Sequence, residues 1–367
     1  MKNYLTAHIS AEAIWHNIKL IRQHIAPDVK ICPVVKDDCY GHGMDVLYPV
    51  LCDHVDGFVV AAPQEALALR TRGYKGFILC LLSAYFDELE IQEELVRQSI
   101  TQTVMSKTAL SAIRAAAERV GTPAQIHLKV DTGMGRLGVP VGQANELLQL
   151  IQKLPDLKLT GLYTHFASAD ESDKTEAQKQ LEQFKSILPA QKNLLIHAAN
   201  SAATIDLPAA HFNMIRLGIA LYGYQPSKEL KNKIPLQPCM SVEAKLIALK
   251  HLPKGSRSGY GLVHQYHRNS RVGIVPIGYG DGYFRCLSDQ SVVRIHGKDA
   301  PVCGRISMDQ ITVDLTDIPE ASVGDSVEVI SSDPLAANSV EHLAKLAGTI
   351  PYEITCHLGR NIRHVLA

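Results

Sequence analysis

The sequence predicts an α/β protein in which an N-terminal (β/α)8 barrel is followed by a C-terminal, mainly β domain. Short apolar runs of strand length recur up to about residue 228, and most gaps between them hold an amphipathic helix candidate. Runs that are apolar throughout are typical of parallel strands covered on both faces. After that point, alternating strands broken by Gly, Pro and Asp replace the pattern. A doubly wound open sheet is the competing fold, because one wrongly assigned strand would leave a similar pattern.

The first predicted element is a helix. Ile14, Ile18, Ile21 and Ile25 repeat along one helical face, and they follow Ser10, a residue type that often caps helices. Helices are also predicted at 63–70, 107–119 and 174–188. Eight barrel strands are predicted at about 31–35, 57–61, 76–82, 101–104, 126–130, 159–164, 194–198 and 213–216.

The second domain is predicted to hold a single good helix, near 340–347. Its boundary falls in a polar, proline-containing stretch that begins at Gln225. We therefore assign residues 9–228 to the barrel, and residues 229–367 together with 1–8 to the mainly β domain. Its strands are predicted at 242–250, 271–276, 291–295, 310–314 and 325–330.

Composition excludes several classes of protein. Lys and Arg total 37, as do Asp and Glu, so the chain has no electrostatic footprint for nucleic acid or an anionic membrane surface. The longest apolar stretch is far shorter than the ~20 residues of a membrane helix, and no secretory signal is visible. The eight cysteines include no C-x-x-C pair, so neither a disulfide framework nor a metal site is predicted. We expect a cytoplasmic protein.

Polar residues cluster where the predicted barrel strands end. Lys36, Lys129, His165, His197 and Arg216 all stand at or near such ends. In a parallel barrel these ends form the active-site face. Any one of these side chains alone would be interpreted as pointing to solvent, but together they favour a site for an anionic ligand.

Lys36 is the most informative of these residues. It follows an apolar strand, so its amine would be partly desolvated, which lowers an amine's pKa as a Schiff-base lysine requires. A lysine paired with Asp37 or Asp38 is an equally good interpretation from the pattern alone. The segment that begins at Gly218 lies where barrels commonly bind phosphate. A phosphorylated ligand facing a lysine suggests pyridoxal 5'-phosphate (PLP).

Motifs spread along nearly the whole chain carry a resemblance to one family. They include 34–43 (VVKDDCYGHG), 129–138 (KVDTGMGRLG), 216–223 (RLGIALYG), 258–261 (SGYG), 276–283 (PIGYGDGY), 304–310 (GRISMDQ) and 351–353 (PYE). In content and order they resemble the motifs of alanine racemases, PLP-dependent enzymes with a barrel like that of triosephosphate isomerase (a TIM-like barrel) and a β domain.

The resemblance implies the racemisation of L- and D-alanine by two bases, which would supply D-alanine for peptidoglycan. Lys36 would carry PLP and act as one base, and Tyr260 of the partner subunit would be the other. The protein would then be a homodimer with shared active sites. From its own pattern, Tyr260 would instead be interpreted as a turn aromatic at the domain interface.

The resemblance also implies the remaining contacts. Arg216 would donate a hydrogen bond to the pyridine nitrogen, and His165 would lie beneath the ring. Arg136 would contact cofactor and substrate, held by a carbamylated Lys129, and Met308 would bind the substrate carboxylate. The phosphate would be held by Tyr40, Ser201, Gly218, Ile219 and Tyr352, Asn200 would also contact the cofactor, and Tyr279 and Asp309 would support the site.

This assignment is chemically coherent. Racemisation removes a proton from one face of Cα and returns it to the other, so two bases must flank the plane. A guanidinium such as Arg216 keeps its protons, so the pyridine nitrogen stays an acceptor and transamination is disfavoured. The same argument disfavours a PLP-dependent decarboxylase, which wants an acid at that nitrogen. A serine or broad-spectrum amino acid racemase is the alternative.

The sequence departs from the family motif in a few places. Asp37 and Cys39 replace the usual small residues after the lysine, and Ser307 stands where many members have cysteine. Asp37 is expected to point away from Lys36, because adjacent strand residues face opposite sides. The segment 81–86 also differs from the usual glycine-containing loop.

Overall fold

A computed structural model describes residues 4–82, 89–191, 193–360 and 362–367. Its N-terminal part confirms the predicted barrel, because all eight predicted strands are present. They are Lys30–Pro33, Gly57–Val60, Phe77–Cys80, Thr101–Val104, Ala124–Asp131, Leu157–Tyr163, Leu195–His197 and Met214–Leu217. The helices of this part are Ala11–His24, Met44–Leu51, Pro63–Thr71, Leu89–Arg97, Lys107–Val120, Val141–Gln152, Thr175–Lys185 and Ser201–Asp206, and a short strand, Val139–Pro140, pairs with Ala124–Asp131.

The barrel strands are parallel and close into a ring. Consecutive strands pair from Gly57–Val60 to Leu195–His197, and Met214–Leu217 pairs with Lys30–Pro33. Backbone hydrogen bonds join the two groups: Val35 N donates to Val59 O at 2.9 Å, and Arg216 N donates to Ala199 O at 2.9 Å. All strand C-termini therefore meet at one mouth.

The first helix forms as its sequence predicts. The Ser10 hydroxyl accepts a hydrogen bond from Ala13 N at 3.2 Å and so caps the helix Ala11–His24. Ile14, Ile18 and Ile21 are buried on its inner face. Burying each of these side chains stabilises the fold by about 1.5–3 kcal/mol.

The C-terminal part is rich in strands, as predicted. Strand Leu5–Ile9 belongs to its main sheet, where it pairs antiparallel with Met240–Lys245 and parallel with Arg363–Leu366. The other strands of this part are Ala248–Leu252, Arg257–Ser258, His264–Gln265, Ser270–Val275, Val292–Ile295, Lys298–Pro301, Ile311–Asp314 and Ser326–Ile330, and its helices are Val340–Ala347 and Pro351–Leu358.

Two predictions for this part are wrong. The predicted strand 242–250 is two strands, Met240–Lys245 and Ala248–Leu252, which belong to different sheets. The prediction of a single helix missed Pro351–Leu358, whose proline occupies the first turn, where the missing N–H costs nothing. This second helix packs against the segment that follows Lys36. Among the described helices, none has the length and apolar character needed to cross a bilayer.

Candidate active site

A cavity of about 340 Å³ opens at the C-terminal ends of the barrel strands. Val34, Asp37, Leu81, Tyr163 and Cys356 form part of its wall. The other lining residues are all predicted site residues: Lys36, Tyr40, Lys129, Arg136, His165, Asn200, Ser201, Arg216, Gly218 and Tyr352. Ile219 is buried directly behind Gly218.

The segment after Lys36 is a left-handed turn, not the end of a strand. The strand stops at Pro33, and the next residues after Lys36, from Asp37 to Tyr40, all have φ between 50° and 57°. Left-handed backbone costs a non-glycine residue roughly 1–2 kcal/mol. In this turn Asp37 lines the same cavity as Lys36, so the expectation that it points away was wrong.

Three side chains hold this turn in place. Glu65 accepts hydrogen bonds from Asp37 N at 2.7 Å and, through its other oxygen, from two backbone N–H groups of its own loop. Asp38 accepts from Met44 N at 2.7 Å. The buried His42 donates through Nδ1 to the carbonyls of Cys39 and Tyr40, at 2.9 and 3.1 Å. Strain at the site is therefore offset by contacts outside it.

The helix Pro351–Leu358 clamps the turn from the other side. A Cβ at Gly41 would lie 2.1 Å from Thr355 O, so the two backbones approach as closely as glycine allows. The same helix places the ring of Tyr352 with its centroid 5.8 Å from that of Tyr40. The two phenol rings thus share one wall of the cavity.

Gly218, Ser201 and Tyr40 form a small polar cradle beside these rings. The Ser201 hydroxyl accepts hydrogen bonds from Gly218 N at 2.9 Å and Ala220 N at 3.3 Å. A Cβ at Gly218 would lie 3.1 Å from Tyr40 Oη and 3.5 Å from Ser201 Oγ. The glycine therefore leaves room where two hydroxyl groups converge, and Asn200 caps the helix that begins at Ser201.

Arg216 is a buried cation at the floor of the cavity. It is 3% exposed, and burial lowers the pKa of its guanidinium to about 10. It donates to Thr164 O at 2.8 Å and Ala198 O at 3.0 Å. Its other acceptors are imidazoles, His197 Nδ1 at 2.8 Å and His165 Nδ1 at 3.2 Å. Among the described residues, the ionisable groups that act on its charge are Tyr163 and Cys32, and neither is a carboxylate.

Lys129, Tyr163 and His197 occupy one row across three neighbouring strands. The Tyr163 ring stacks on His197 with centroids 4.7 Å apart, and both Lys129 Nζ and the Arg216 guanidinium lie over its face, at 5.7 and 5.2 Å. Burial lowers the pKa of the Lys129 ammonium to about 8, and the guanidinium groups of Arg136 and Arg216 act in the same direction. Burial likewise lowers the pKa of His165 to about 3, so this ring is neutral.

Arg136 extends from a loop organised by Asp131. The Asp131 carboxylate accepts hydrogen bonds from the backbone N–H groups of Gly133, Met134 and Gly135 at 2.9–3.2 Å. Partial burial raises the pKa of Asp131, but these donors outweigh it and hold the pKa below its usual value. The loop therefore holds its conformation without a ligand.

Of the predicted residues of the β domain, Tyr352 lines the cavity, and the others lie elsewhere. Tyr260 is 67% exposed and Met308 55%, and neither lines the cavity of its own chain. The segments that carry them approach each other: a Cβ at Gly259, next to Tyr260, would lie 2.8 Å from Arg305 N, three residues before Met308. Met308 itself accepts a hydrogen bond from Gly280 N at 2.8 Å. Tyr279 and Asp309 are exposed on the same surface.

Sequence reasoning missed several residues of the cavity. Tyr163 sits two residues before His165, and Cys356 lies on the helix that was not predicted. His127, which contacts His197, precedes Lys129 by two residues, and this spacing puts both on the same face of a strand. The alternation of side chains along this strand was the signal from which His127 could have been predicted. Within the segment 81–86, whose sequence departs from the family motif, residues 83–86 lie outside the described residues.

The fold and the cavity together define a barrel-plus-β enzyme with a cationic, lysine-containing active site. A family model described as the alanine racemase N-terminal domain matches residues 9–226, and one described as the C-terminal domain matches 239–366. The chain belongs to the alanine racemase family, and it is an isomerase that acts on alanine. In the described part of the chain, no group of three or more His, Cys, Asp or Glu is placed to hold a metal ion.

Individual relatives agree with the family models. An alanine racemase from Syntrophobacter fumaroxidans is 39% identical, with 96% of this chain and 95% of the relative covered. One from Methanococcus maripaludis is 40% identical, with 98% and 97% covered. The crystal structure of alanine racemase from D-cycloserine producing Streptomyces lavendulae superposes with a TM-score of 0.92 at 32% identity, covering 100% and 98% of the two chains. These likenesses do not favour the serine or broad-spectrum alternative.

Proposed function

We propose that this enzyme interconverts L- and D-alanine with PLP by a two-base mechanism, and that its product D-alanine supplies peptidoglycan. The observation that carries the proposal is the cavity that brings Lys36, Arg216 and the Gly218 cradle together. The family membership supports this reaction, and the residues of the cavity provide the groups that it requires.

The cavity fits PLP on three counts. Its volume, about 340 Å³, suits a small cofactor, since ligand pockets usually measure about 300–1,000 Å³. The cradle of Gly218, Ser201 and Tyr40 has the open space and the donors that a phosphate needs. Arg216 provides a permanent donor, which suits a pyridine nitrogen kept as an acceptor. PLP in this place supplies an electron sink that acidifies the Cα–H of the amino acid.

Lys36 and Arg216 have distinct roles in the proposal. Lys36 Nζ would hold PLP covalently until the amino group of alanine takes its place, and the freed amine would then move a proton to or from one face of Cα. Arg216 stays protonated and donates a hydrogen bond to the ring nitrogen. Because this nitrogen is then not protonated, the cofactor is a weaker electron sink and transamination is disfavoured. Both side chains are positioned by their own chain, Lys36 by the left-handed turn and Arg216 by two carbonyls and two imidazoles.

Tyr260 of the partner subunit is proposed as the second base. Tyr260 is 67% exposed on its own chain, and Met308 is 55% exposed. A homodimer that places this surface over the cavity of the neighbouring chain would bring the Tyr260 hydroxyl to the face of Cα opposite Lys36. Met308 would then meet the substrate carboxylate, with Tyr279 and Asp309 supporting.

Lys129 is proposed to be carbamylated and to hold Arg136 in this form. Carbon dioxide reacts with a neutral amine, and a pKa of about 8 leaves an appreciable neutral fraction near neutral pH. In the reaction the neutral Nζ forms a bond to the carbon of CO2 and releases one proton to solvent, so the neutral amine becomes a carbamate anion. That anion would pair with Arg136, which lines the same cavity.

Mixing two inactive variants tests the shared site. Lys36→Ala and Tyr260→Phe each inactivate one base, and in a mixed dimer one of the two sites combines an intact Lys36 with an intact Tyr260. Random exchange makes half of the dimers mixed, so about a quarter of the wild-type activity should return. L-alanine turnover is measured before and after co-refolding of the two variants.

Co-refolding Lys36→Ala with itself is the control and should return no activity. Full activity of Tyr260→Phe alone would refute the assignment of the second base. Failure of the mixture to regain activity, with both variants folded and dimeric, would show that the two bases act within one chain.

A further inference from the structure

Two imidazoles form a hydrogen-bonded chain behind Arg216, and of these three side chains only Arg216 lines the cavity. Arg216 contacts His197 Nδ1 at 2.8 Å, and His197 Nε2 contacts His127 Nδ1 at 2.9 Å. All three side chains are buried. His127 Nε2, at the end of the chain, is buried without a hydrogen-bond partner among the described residues.

The protonation of this chain follows from its geometry. A guanidinium can only donate, so His197 Nδ1 must accept and the proton of His197 sits on Nε2. That N–H donates to His127 Nδ1, which leaves the proton of His127 on the unpartnered Nε2. Burial lowers the pKa of His127 to about 3, and the charge of Arg216 acts in the same direction, so both imidazoles are neutral. Each ring is therefore confined to one tautomer.

Packing holds the terminal ring in its place. His127 lies one layer below the row of Lys129 and Tyr163, opposite Gly161 in the neighbouring strand. A Cβ at Gly161 would lie 2.6 Å from His127 Nε2, so only glycine leaves room for the ring. Phe77 stacks on its face with centroids 5.5 Å apart. A residue used only to fill this space would be apolar, because a buried N–H without an acceptor costs stability.

We propose that His127 is a positioning residue: by accepting from His197 Nε2 it stabilises the tautomer of His197 that the Arg216 contact requires, and so helps to keep Arg216 oriented toward the cavity. If His197 carried its proton on Nδ1, that N–H would face an N–H of Arg216, and the guanidinium would lose an acceptor. By accepting from His197 Nε2, His127 adds a second contact that disfavours this alternative. The inference rests on the proposed role of Arg216 toward PLP.

The test compares His127→Asn with His127→Leu. An asparagine oxygen reaches nearly the position of histidine Nδ1 and can accept from His197, whereas leucine of similar size cannot. In the holoenzyme labelled with 15N-histidine, His197 should be the Nε2–H tautomer in the wild type and in His127→Asn. In His127→Leu it should show both tautomers. The signal of His197 is identified by its loss in His197→Gln.

PLP dissociation provides the second readout. His127→Leu should bind PLP about tenfold more weakly, the effect of losing one buried hydrogen bond, and His127→Asn should stay within about twofold of wild type. A single Nε2–H tautomer in His127→Leu, with unchanged PLP affinity, would overturn the proposal. Should the leucine variant not fold, an Nδ1–H tautomer of His197 in the wild type would overturn it equally. Neither measurement involves turnover, so failure of the two-base mechanism would be seen separately, in the mixed-dimer experiment.

Discussion

The two halves of the proposed site contrast sharply in how they are built. The barrel mouth holds Lys36 and Arg216 in a cavity whose contacts come from the same chain. The surface of the β domain presents Tyr260 and Met308 to solvent, 67% and 55% exposed. One half is therefore preorganised within the subunit, whereas the other needs a neighbour to become part of a site.

Burial explains this difference. A buried cation such as Arg216 is tolerated only with its donors satisfied, so its surroundings must be assembled during folding. An exposed tyrosine imposes no such requirement, and its turn needs only the local pairing of Arg257–Ser258 with His264–Gln265. Under the proposed mechanism, cofactor binding would depend on the fold of one chain, and catalysis on the assembly of two.

The largest expected effect is at Lys36. Lys36→Ala should abolish covalent attachment of PLP and lower alanine turnover by more than about a thousandfold, because it removes both the anchor and one base. Absorbance of the bound cofactor and L-alanine turnover are the measurements. Lys30→Ala, at the exposed start of the preceding strand, is the matched control and should behave as wild type. If Lys36→Ala retained turnover, Lys36 would not be the cofactor anchor and base that the barrel half is proposed to supply.

Tyr260→Phe should separate the two halves. Turnover should fall by about a hundredfold or more, since a general base is lost, while PLP affinity stays within a factor of about two. Tyr48→Phe, on the helix Met44–Leu51, keeps the same chemical change outside the cavity and serves as the control. A large loss of PLP affinity in Tyr260→Phe would mean that the β-domain surface also takes part in holding the cofactor.

The contrast also shows what the sequence made predictable. The eight strands follow from apolar runs, and the strand-end positions of Lys129, His165 and Arg216 follow from topology, because parallel strands end at one mouth. A turn after Lys36 is predicted by its glycines, but its left-handed backbone could not be predicted. Local preference opposes this conformation at four successive non-glycine residues, and tertiary contacts such as that of Glu65 hold it.

The roles of Tyr260 and Met308 could be predicted only from the family resemblance, and the reason is physical. Gly-Tyr-Gly predicts a turn, and the structure has one, but nothing local distinguishes a catalytic tyrosine from a surface one. The helix Pro351–Leu358, which is eight residues long and begins with a proline, was not predicted. Cys356, which lies on this helix and lines the cavity, was therefore missed as well, whereas Tyr352 was expected from the motif.

A moderate effect is expected at Glu65, which supports the barrel half from outside the cavity. Glu65→Ala removes the acceptor of Asp37 N and of two further backbone N–H groups. We expect a loss of about 1–3 kcal/mol in the free energy of unfolding and weaker PLP binding, because the strained turn loses its support. Chemical denaturation and PLP titration measure both. Gln64→Ala, the exposed neighbour, is the control, and equal effects of the two changes would show that Glu65 does not support the turn.

The smallest expected effect concerns the charge of Lys129. Its pKa is lowered from 10.5 to about 8 in the folded chain, so between these values the unfolded state binds more protons than the folded one. The free energy of unfolding must then rise with pH in this window, by about 1–2 kcal/mol for this group, and the burial penalty is fully present below pH 8. In buffer free of CO2, the stability difference between wild type and Lys129→Met should show this slope. Lys158→Met, on an exposed strand position, should not. A flat difference would mean that the Lys129 ammonium is solvated at the mouth, and that even the barrel half is completed only when the partner covers it.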